Sequence, residues 1–312
     1  MASNVIRIGT RDSMLAVWQA TLVKEQLAAA GHLSELVFVK SEGDIDLVTP
    51  LYAIGVQGVF TRTLDAALLS GRIDLAVHSM KDVPVQLAQG IAPAAILPRA
   101  SVKDLLVLRG SDVSFLDNPD SLATIATSSL RRKAQWLHRY PAHRIENLRG
   151  NVNTRLKKVA ESDWQGAIFA AAGLERIGVR PEGSIELDWM LPAPAQGAIM
   201  IVCREADEHL KTACAPLHDE TTAICVNEER QFLSGLMGGC STPVGALATI
   251  ENGVLHFRGN LCSLDGKTCL NEERVVPLKK GVLPTDAAPG IGRSTAEDLL
   301  ARGAGDLIQK LR

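Results

Sequence analysis

Apolar and polar positions follow two different periods over the first two thirds of the chain. Short apolar runs bounded by turn residues predict strands at 5–9, 35–40, 73–78, 91–97, 105–108, 124–127, 144–148 and 167–171. Between these runs the apolar residues recur with helical spacing, which predicts helices at 13–30, 60–70, 130–140 and 152–162 and a short one ending at Arg176. Ser13 can cap the first helix and Gly31 can end it. Strands that alternate with helices predict layered α/β structure.

The pattern changes at about Thr221. A helix is predicted up to Leu236, followed by strands at 244–250, 254–262 and 269–276 and by a closing helix at 294–310. Asn252-Gly253 and Asp265-Gly266 are typical of tight turns between antiparallel strands. The last part of the chain is therefore predicted to form a small α+β domain.

Composition and charge exclude several functional classes. The chain has 312 residues, with 33 Lys and Arg against 35 Asp and Glu, and a formal net charge of −2. This balance argues against a dedicated nucleic-acid-binding protein. No run of residues reaches the roughly 20 apolar positions of a membrane span. The first residues lack the apolar core of a secretory signal, so we expect a cytoplasmic protein that does not bind a membrane.

The cysteines all fall after residue 200. They are Cys203, Cys214, Cys225, Cys240, Cys262 and Cys269. None has the spacing of a structural zinc site, so we expect no metal and six reduced thiols, most of them buried. Cys240 differs from the others, because Gly238 and Gly239 place it on an irregular loop. A thiol on such a loop is the better candidate for covalent chemistry.

Positive charge is concentrated between residues 128 and 158. This segment has nine basic side chains and one acidic side chain, a local charge of +8. Two strand-to-helix turns are predicted here and a third near the start of the chain; such turns offer free N–H groups and the positive end of a helix dipole. Together with arginines, they predict a polyanion site made of Arg11, Ser13, Thr127, Ser128, Ser129, Arg131, Arg132, Arg149, Gly150, Asn151 and Arg155. A solvated basic face is the structural alternative, and nucleic acid is the alternative ligand.

Asp82 follows the predicted strand at 73–78, where α/β folds place catalytic carboxylates. Lys81 beside it can serve as a charge partner. An Asp before Val-Pro is also typical of a turn, which is the structural alternative. His78 is expected to pack at the end of the strand rather than to act as a base.

Five motifs occur in an order that identifies a family. They are HSMKDVP at 78–84, TSSLRR at 127–132, LRGNV at 148–152 with TRL at 154–156, AGL at 172–174 with Arg176, and GGC at 238–240. In these motifs and in their order the chain resembles the porphobilinogen deaminase (hydroxymethylbilane synthase) family over nearly its whole length. Each motif is weak alone, and the five together are specific.

The resemblance implies a fold and an activity. It implies two α/β domains like those of periplasmic binding proteins, at 1–99 with 197–218 and at 100–196, and a small α+β domain at 219–312. The family condenses four porphobilinogen molecules head to tail, releases ammonia and gives the linear tetrapyrrole hydroxymethylbilane of heme biosynthesis. A dipyrromethane cofactor is joined by a thioether to the cysteine that corresponds to Cys240. The family resemblance also suggests a monomer without metal or nucleotide.

The resemblance assigns roles to the candidate residues. Lys81, Arg176 and the arginines and hydroxyl residues of the polyanion site would bind the acetate and propionate groups of the pyrroles. Asp82 would face the pyrrole nitrogens and stabilise the cation that forms when ammonia leaves. Gln196-Gly197 resembles the hinge between the first two domains.

The chain departs from the family mainly at 42–62, which is a mobile lid in the family. Val48 replaces an Asp, Gln57 replaces a Lys, Glu42 adds an acid and Arg62 replaces a Lys. Ala195 stands where glycine is usual. Fewer lid cations should weaken the hold on anionic intermediates, while Asp82 and Cys240 predict an active enzyme.

Two other functions are compatible with parts of the pattern. The main alternative is a non-catalytic carboxylate- or phosphate-binding module on the same two-lobed fold, which has no need of Cys240 or Asp82. A nucleic-acid-binding domain that uses the +8 segment is a minor alternative, and its binding would fall steeply with salt.

Overall fold

The strands in the described part of the chain form two five-stranded sheets and one three-stranded sheet. The computed structural model describes residues 5–40, 61–118, 120–236, 242–278 and 290–310. Among these, one compact unit takes in the residues up to Ala100 and Gly197–Ala223, and the second takes in Ser101–Gln196 and the residues from Ile224 onward. The predicted division into three domains stays a prediction. Glu42, Val48, Gln57 and Cys240 lie outside the described residues.

The sheet of the first unit has the strand order β2-β1-β3-β10-β4. The strands are β1 (Ile6–Thr10), β2 (Ser34–Phe38), β3 (Leu75–Ser79), β4 (Ile91–Ile96) and β10 (Ile199–Arg204). Strand β1 runs parallel to β2 and β3, whereas β10 runs antiparallel to both of its neighbours. The helices of this unit are α1 (Met14–Ala29), α2 (Arg62–Leu69) and α6 (Glu208–Cys214).

The caps predicted for the first helix are confirmed. The Ser13 hydroxyl accepts a hydrogen bond from the Ala16 amide at 3.4 Å, so it satisfies one of the free donors at the start of α1. Gly31 has a φ of +86°, a left-handed conformation that glycine adopts without a steric penalty. Leu27 of this helix is fully buried and packs in one core with Ile8 and Leu75.

Strand β10 was not among the predicted elements. Its residues form a continuous buried apolar run, Ile199 to Cys203, between Gln196-Gly197 and α6. A short apolar run of this kind can be a buried strand or part of a buried helix, and periodicity cannot distinguish them. The strand lies between β3 and β4 and completes a sheet that the earlier strands leave divided.

The second unit contains the other two sheets. The first has the order β7-β6-β8-β5-β9, formed by β5 (Asp104–Leu108), β6 (Thr124–Ala126), β7 (Arg144–Glu146), β8 (Gly166–Ala170) and β9 (Ile185–Glu186). Its helices are α3 (Leu130–Arg139), α4 (Val152–Glu161) and α5 (Ala171–Arg176). The second sheet is an antiparallel meander of β11 (Val244–Glu251), β12 (Val254–Cys262) and β13 (Cys269–Pro277). The expected class, α/β with a small α+β part at the C-terminal end, is confirmed.

The C-terminal part differs from the prediction in its last helix. Helix α7 (Glu220–Gly235) agrees with expectation, and the predicted turn has Asn252 and Gly253 at φ of +51° and +75°. The single closing helix predicted at 294–310 is instead divided into α8 (Ile291–Leu299), a wider turn over Leu300–Ala304, and α9 (Gly305–Gln309). The interruption coincides with Gly303, whose φ of +94° does not fit a right-handed helix.

The prediction of six reduced thiols is wrong for Cys262 and Cys269, which form a disulfide. The register of β12 and β13 places the two residues directly opposite each other, with their Cα atoms 4.0 Å apart. Their pairing follows from the strand register, which is not visible in their spacing along the sequence. Cys203, Cys214 and Cys225 are free and buried, as predicted.

Candidate active site

The first unit brings four of the candidate residues, Arg11, Ser13, Lys81 and Asp82, to one edge of its sheet. Arg11 and Ser13 follow β1, and Asp82 lies in a short 3-10 turn, Met80–Asp82, that follows β3. Because β1 and β3 are adjacent and parallel, their carboxyl ends meet at the same edge. The turn is held by the Met80 amide, which donates to the Ala198 carbonyl of the segment before β10 at 3.0 Å. Asp82 is exposed, and Lys81 beside it is half-buried.

His78 sits beneath this turn and is buried. Burial, followed by the positive charge of Arg11, lowers the pKa of His78 to about 4. The imidazole is therefore neutral near pH 7, in agreement with the expected packing role. Its neighbour Ser79 accepts a hydrogen bond from the Gln19 amide at 2.8 Å, which ties α1 to the end of β3.

The buried His78 should make stability depend on pH. Because its pKa is about 4 when folded and 6.5 in the reference state, the unfolded chain takes up a proton first as pH falls. We expect His78 to contribute a loss of roughly 3 kcal/mol in the free energy of unfolding between pH 7 and pH 4. Urea titrations of His78→Gln should show a smaller loss over this range than the wild type. The same substitution at the exposed His209 should leave the loss unchanged, and equal pH dependence in wild type and His78→Gln would contradict the assignment.

In the second unit, the first group of candidate residues, Thr127, Ser128 and Ser129, lies at the N-terminus of α3. The Thr127 hydroxyl accepts from the Ser129 amide at 3.2 Å, and the Ser129 hydroxyl caps the helix by accepting from the Arg132 amide at 3.4 Å. Ser128 and Ser129 remain half-buried. Two hydroxyls at the positive end of a helix form a suitable binding place for an anion.

The two arginines of α3 are buried, with exposed fractions of 4% for Arg131 and 6% for Arg132. Both donate to the carboxylate of Asp104, which is fully buried at the start of β5. Burial alone would raise the pKa of Asp104, but the charges of Arg131 and Arg132 outweigh it and hold the pKa well below its ordinary value. The predicted binding of substrate carboxylates by these arginines stays a prediction, and it must use the N–H groups that Asp104 leaves.

The turn before α4 gathers the second group. Asn151 caps the helix by accepting from the Thr154 amide at 3.0 Å, and Gly150 has a φ of +111° that favours glycine. The Arg155 Nε donates to the Gly150 carbonyl at 2.7 Å. Arg149 is buried, with an exposed fraction of 5%, and its carbonyl accepts from Lys158.

Arg176 and Gln196 are the remaining candidates of this unit. Arg176 ends α5, and burial, partly offset by Glu175, lowers its pKa to about 10. Gln196 is buried, and its amide donates to the Val102 carbonyl at 2.8 Å and to Asp104 at 3.0 Å. The predicted hinge residue thus connects two segments at which the chain passes from one unit to the other.

Ala195 adopts a left-handed conformation, with a φ of +62°. This conformation costs an alanine about 1 kcal/mol more than a glycine, so the surroundings must hold it. The Ala195 amide donates to the buried carboxylate of Glu229 at 2.7 Å, and the same carboxylate accepts from the Ala248 amide at 2.8 Å. The alanine that replaces the usual glycine is therefore held by the hydrogen bond that its amide donates to Glu229 of α7.

Sequence reasoning missed Asp104 and Glu229, which hold the candidate residues without carrying a motif of their own. Asp104 lies in the predicted strand region as a charged residue before an apolar run, and that position was the available signal. In the described residues no group of three or more His, Cys, Asp or Glu side chains could hold a metal ion. Within the same described ranges, no helix combines the length and the apolar composition that crossing a bilayer requires.

The donor set fits a ligand with several carboxylates. Arg131 Nε is buried and has no hydrogen-bond partner among the described residues, which is costly unless a ligand or water completes it. Two capped helix starts and several buried arginines lie in the second unit, and Asp82 is an exposed carboxylate in the first. An α/β fold with such donors is typical of the class of proteins that bind anionic ligands.

The comparisons give the family. The chain matches "Porphobilinogen deaminase, dipyromethane cofactor binding domain" over residues 6–212 and "Porphobilinogen deaminase, C-terminal domain" over residues 223–301. It belongs to the porphobilinogen deaminase family. It is 42% identical to the porphobilinogen deaminase of Syntrophotalea carbinolica, over 100% of this chain and 97% of that protein. It is 39% identical to the chloroplastic porphobilinogen deaminase of Oryza sativa subsp. japonica, over 99% of this chain and 87% of that protein.

The solved structures that the chain matches include solute-binding proteins. One is the second substrate binding domain of a putative amino acid ABC transporter from Streptococcus pneumoniae, with a TM-score of 0.42 and 12% identity over 73% of this chain and 93% of that chain. Another is a nutrient binding protein from Burkholderia cenocepacia bound to methionine, with a TM-score of 0.41 and 16% identity over 67% of this chain and 90% of that chain. The family makes this chain a transferase of tetrapyrrole synthesis that uses a dipyrromethane cofactor. The alternative of a non-catalytic binding module is not favoured.

Proposed function

We propose that this chain condenses four porphobilinogen molecules head to tail, with release of ammonia, into the linear tetrapyrrole hydroxymethylbilane. The observation that carries the proposal is the match to both parts of the porphobilinogen deaminase family along almost the entire chain. The arginines and helix N-termini of the second unit suit this substrate, because every pyrrole unit has two carboxylates that can accept their hydrogen bonds. A product that gains negative charge at each step needs many cationic and N–H donors, which the second unit supplies.

The carboxylates of the cofactor and of the growing chain are assigned to the second unit. The hydroxyls of Ser128 and Ser129, the start of α4 at Asn151, and the arginines offer charge-assisted hydrogen bonds to such groups. When bound, the dipyrromethane group supplies the pyrrole carbon to which the first substrate is joined. The proposed set is completed in the second unit by Thr127, Arg131, Arg132, Arg149, Gly150, Arg155 and Arg176. The first unit contributes Arg11, Ser13 and Lys81.

Asp82 is assigned to the chemistry. Its exposed carboxylate lies at the carboxyl end of β3, on a turn whose Met80 amide is bonded to Ala198 just before β10, so it can be held in place without being buried. A carboxylate at this point accepts a hydrogen bond from the pyrrole N–H and stabilises the positive charge that develops when ammonia leaves. Neutral His78 beneath it adds no competing positive charge.

Cys240 is assigned as the thioether attachment point. Cys203 and Cys214, which form no disulfide, are poor nucleophiles. Burial raises the pKa of the Cys203 thiol and raises that of the Cys214 thiol to about 12. Cys225 is buried as well, and Cys262 and Cys269 are bonded to each other. We also infer a monomer in the cytoplasm, three domains with the predicted boundaries, and a hinge at Gln196.

Intact-protein mass spectrometry with peptide mapping tests the proposed function. We expect a mass excess of two linked porphobilinogen-derived units on Cys240, present in the purified protein or formed after porphobilinogen is added. Ammonia release and formation of a linear tetrapyrrole should follow with excess substrate. A protein that stays unmodified and releases no ammonia after this addition would favour the binding-module alternative.

Arg149→Leu should impair catalysis more than stability. Replacing a guanidinium that binds a substrate carboxylate removes a charge-assisted hydrogen bond, so we expect kcat/KM to fall about 10- to 100-fold. The matched control is Arg144→Leu, an exposed arginine of the same basic segment, which should stay within about 3-fold of wild type. Steady-state kinetics and thermal melts on both variants separate the roles. A thermal loss that accounts for all of the lost activity of Arg149→Leu would assign it to packing.

A further inference from the structure

The buried carboxylate of Asp104 accepts four hydrogen bonds from three of the candidate residues. Its Oδ2 accepts from Arg131 Nη1 at 2.7 Å. Its Oδ1 accepts from Arg132 Nε at 3.1 Å, from Arg132 Nη2 at 2.7 Å and from Gln196 Nε2 at 3.0 Å. One buried acid therefore fixes two adjacent guanidiniums of α3 and the predicted hinge residue at once.

These bonds determine which arginine donors remain. Arg131 Nη1 also donates to the Leu191 carbonyl at 2.7 Å, which uses both of its protons, while Arg131 Nε has no partner among the described residues. Arg132 Nη1 donates one proton to the Ile168 carbonyl at 2.8 Å. Arg131 Nη2 donates one proton to Gln196 Oε1 at 3.4 Å. Arg132 thus keeps one proton on each Nη, and Arg131 keeps Nε and one proton on Nη2, in orientations that Asp104 sets.

The charge of this cluster is not balanced. Two buried guanidiniums are paired with a single carboxylate, and neither arginine forms an ion pair with another acid in the described ranges. The first unit also has an aspartate between two arginines, but there the charges are balanced. There Asp74 pairs with Arg7 and Arg204, and Arg204 also pairs with Asp207 at 2.7 Å, so two acids meet two arginines. A buried excess of positive charge is unfavourable unless an anion joins it.

We propose that Asp104 is a positioning residue for substrate binding, which orients the free N–H groups of Arg131 and Arg132 toward a carboxylate and ties them to Gln196. The inference rests on the proposed function, in which these arginines bind carboxylates of the pyrrole chain. Asp104 leaves the cluster one negative charge short, and the ligand supplies it. In a cluster with a purely structural role we would expect as many acids as arginines, as in the Asp74 cluster.

The test compares Asp104→Asn with Asp74→Asn, each as purified holoenzyme. Both substitutions remove one buried or half-buried carboxylate that holds two arginines, so both should lower the melting temperature. We expect kcat/KM for porphobilinogen to fall at least 10-fold in Asp104→Asn and less than 3-fold in Asp74→Asn. Partly elongated enzyme, counted as added substrate units by intact mass, should accumulate in Asp104→Asn alone. Wild-type kcat/KM and elongation in folded Asp104→Asn would overturn the proposal.

A second measurement keeps Asp104 in place and so does not depend on whether Asp104→Asn folds. Arginine Nε–H signals are observed by NMR in the Cys240→Ser protein, which should not accept the cofactor, before and after addition of porphobilinogen. We expect the Arg131 Nε–H signal to shift and to exchange more slowly with solvent, while the Arg7 signal stays unchanged. An unchanged Arg131 signal on saturation would overturn the proposal. Failure of the proposed function is distinct, because the wild-type protein would then acquire no mass from porphobilinogen.

Discussion

Asp82→Ala should lower kcat by about 10²- to 10³-fold while the protein remains folded, because one group that stabilises charge in a transition state has this order of effect. The side chain is exposed and lies in a turn held by backbone bonds from Met80 and Val83, so its removal leaves no cavity. We expect the change in melting temperature to be within a few degrees. Single-turnover kinetics on holoenzyme give the rate of ammonia release directly.

Two further variants define what the carboxylate does. Asp82→Asn keeps the shape and the hydrogen-bond acceptor but removes the charge, so it should lose nearly as much activity as the alanine variant if charge is what matters. Glu25→Ala removes an exposed acid of α1 in the same unit and should match the wild type. Substantial activity in Asp82→Asn would assign the residue to hydrogen bonding instead, and substantial activity in Asp82→Ala would remove its role.

Cys240→Ser should abolish cofactor attachment and with it nearly all turnover. The thioether requires a thiolate nucleophile, and a serine hydroxyl at neutral pH is a far weaker one. Intact mass should show the bare chain after incubation with porphobilinogen, whereas the wild type gains the mass of the cofactor. The circular dichroism spectra of the two proteins should agree.

The matched control for this variant is Cys225→Ser, since Cys225 is a buried thiol of α7 that forms no disulfide and precedes Cys240 in the sequence. It should acquire the cofactor like the wild type. A Cys240→Ser protein that still gains the mass would move the attachment to one of the other thiols, and peptide mapping would identify which.

Local signals were sufficient to predict much of the fold. In α1, α3 and α4 the apolar positions recur with helical spacing. Each of these helices has its capping residue directly before it, namely Ser13, Ser129 and Asn151. The cap and the amide that it binds are therefore close together in the sequence, where a short window contains both. The tight turn at Asn252-Gly253 is local for the same reason. The candidate site residues were found where such local signals coincide with arginines.

The features that sequence reasoning missed depend on distant partners. Strand β10 is defined by its place between β3 and β4, and the pairing of Cys262 with Cys269 is defined by strand register. Asp104 gains its role only when α3 and Gln196 approach it from 27 and 92 residues away along the chain. No periodicity or spacing rule within a short window contains that information.

The late position of β10 has a consequence for synthesis on the ribosome. The middle of the first unit's sheet needs residues 199–204, whereas the five-stranded sheet of the second unit uses only strands between residues 104 and 186. During synthesis from the N-terminus, β1 to β4 are made first but must wait for β10, while β5 to β9 are already complete. Of the two five-stranded sheets, the one whose strands are made first is thus the later to be completed, and the nascent chain must keep β3 and β4 from pairing wrongly until then.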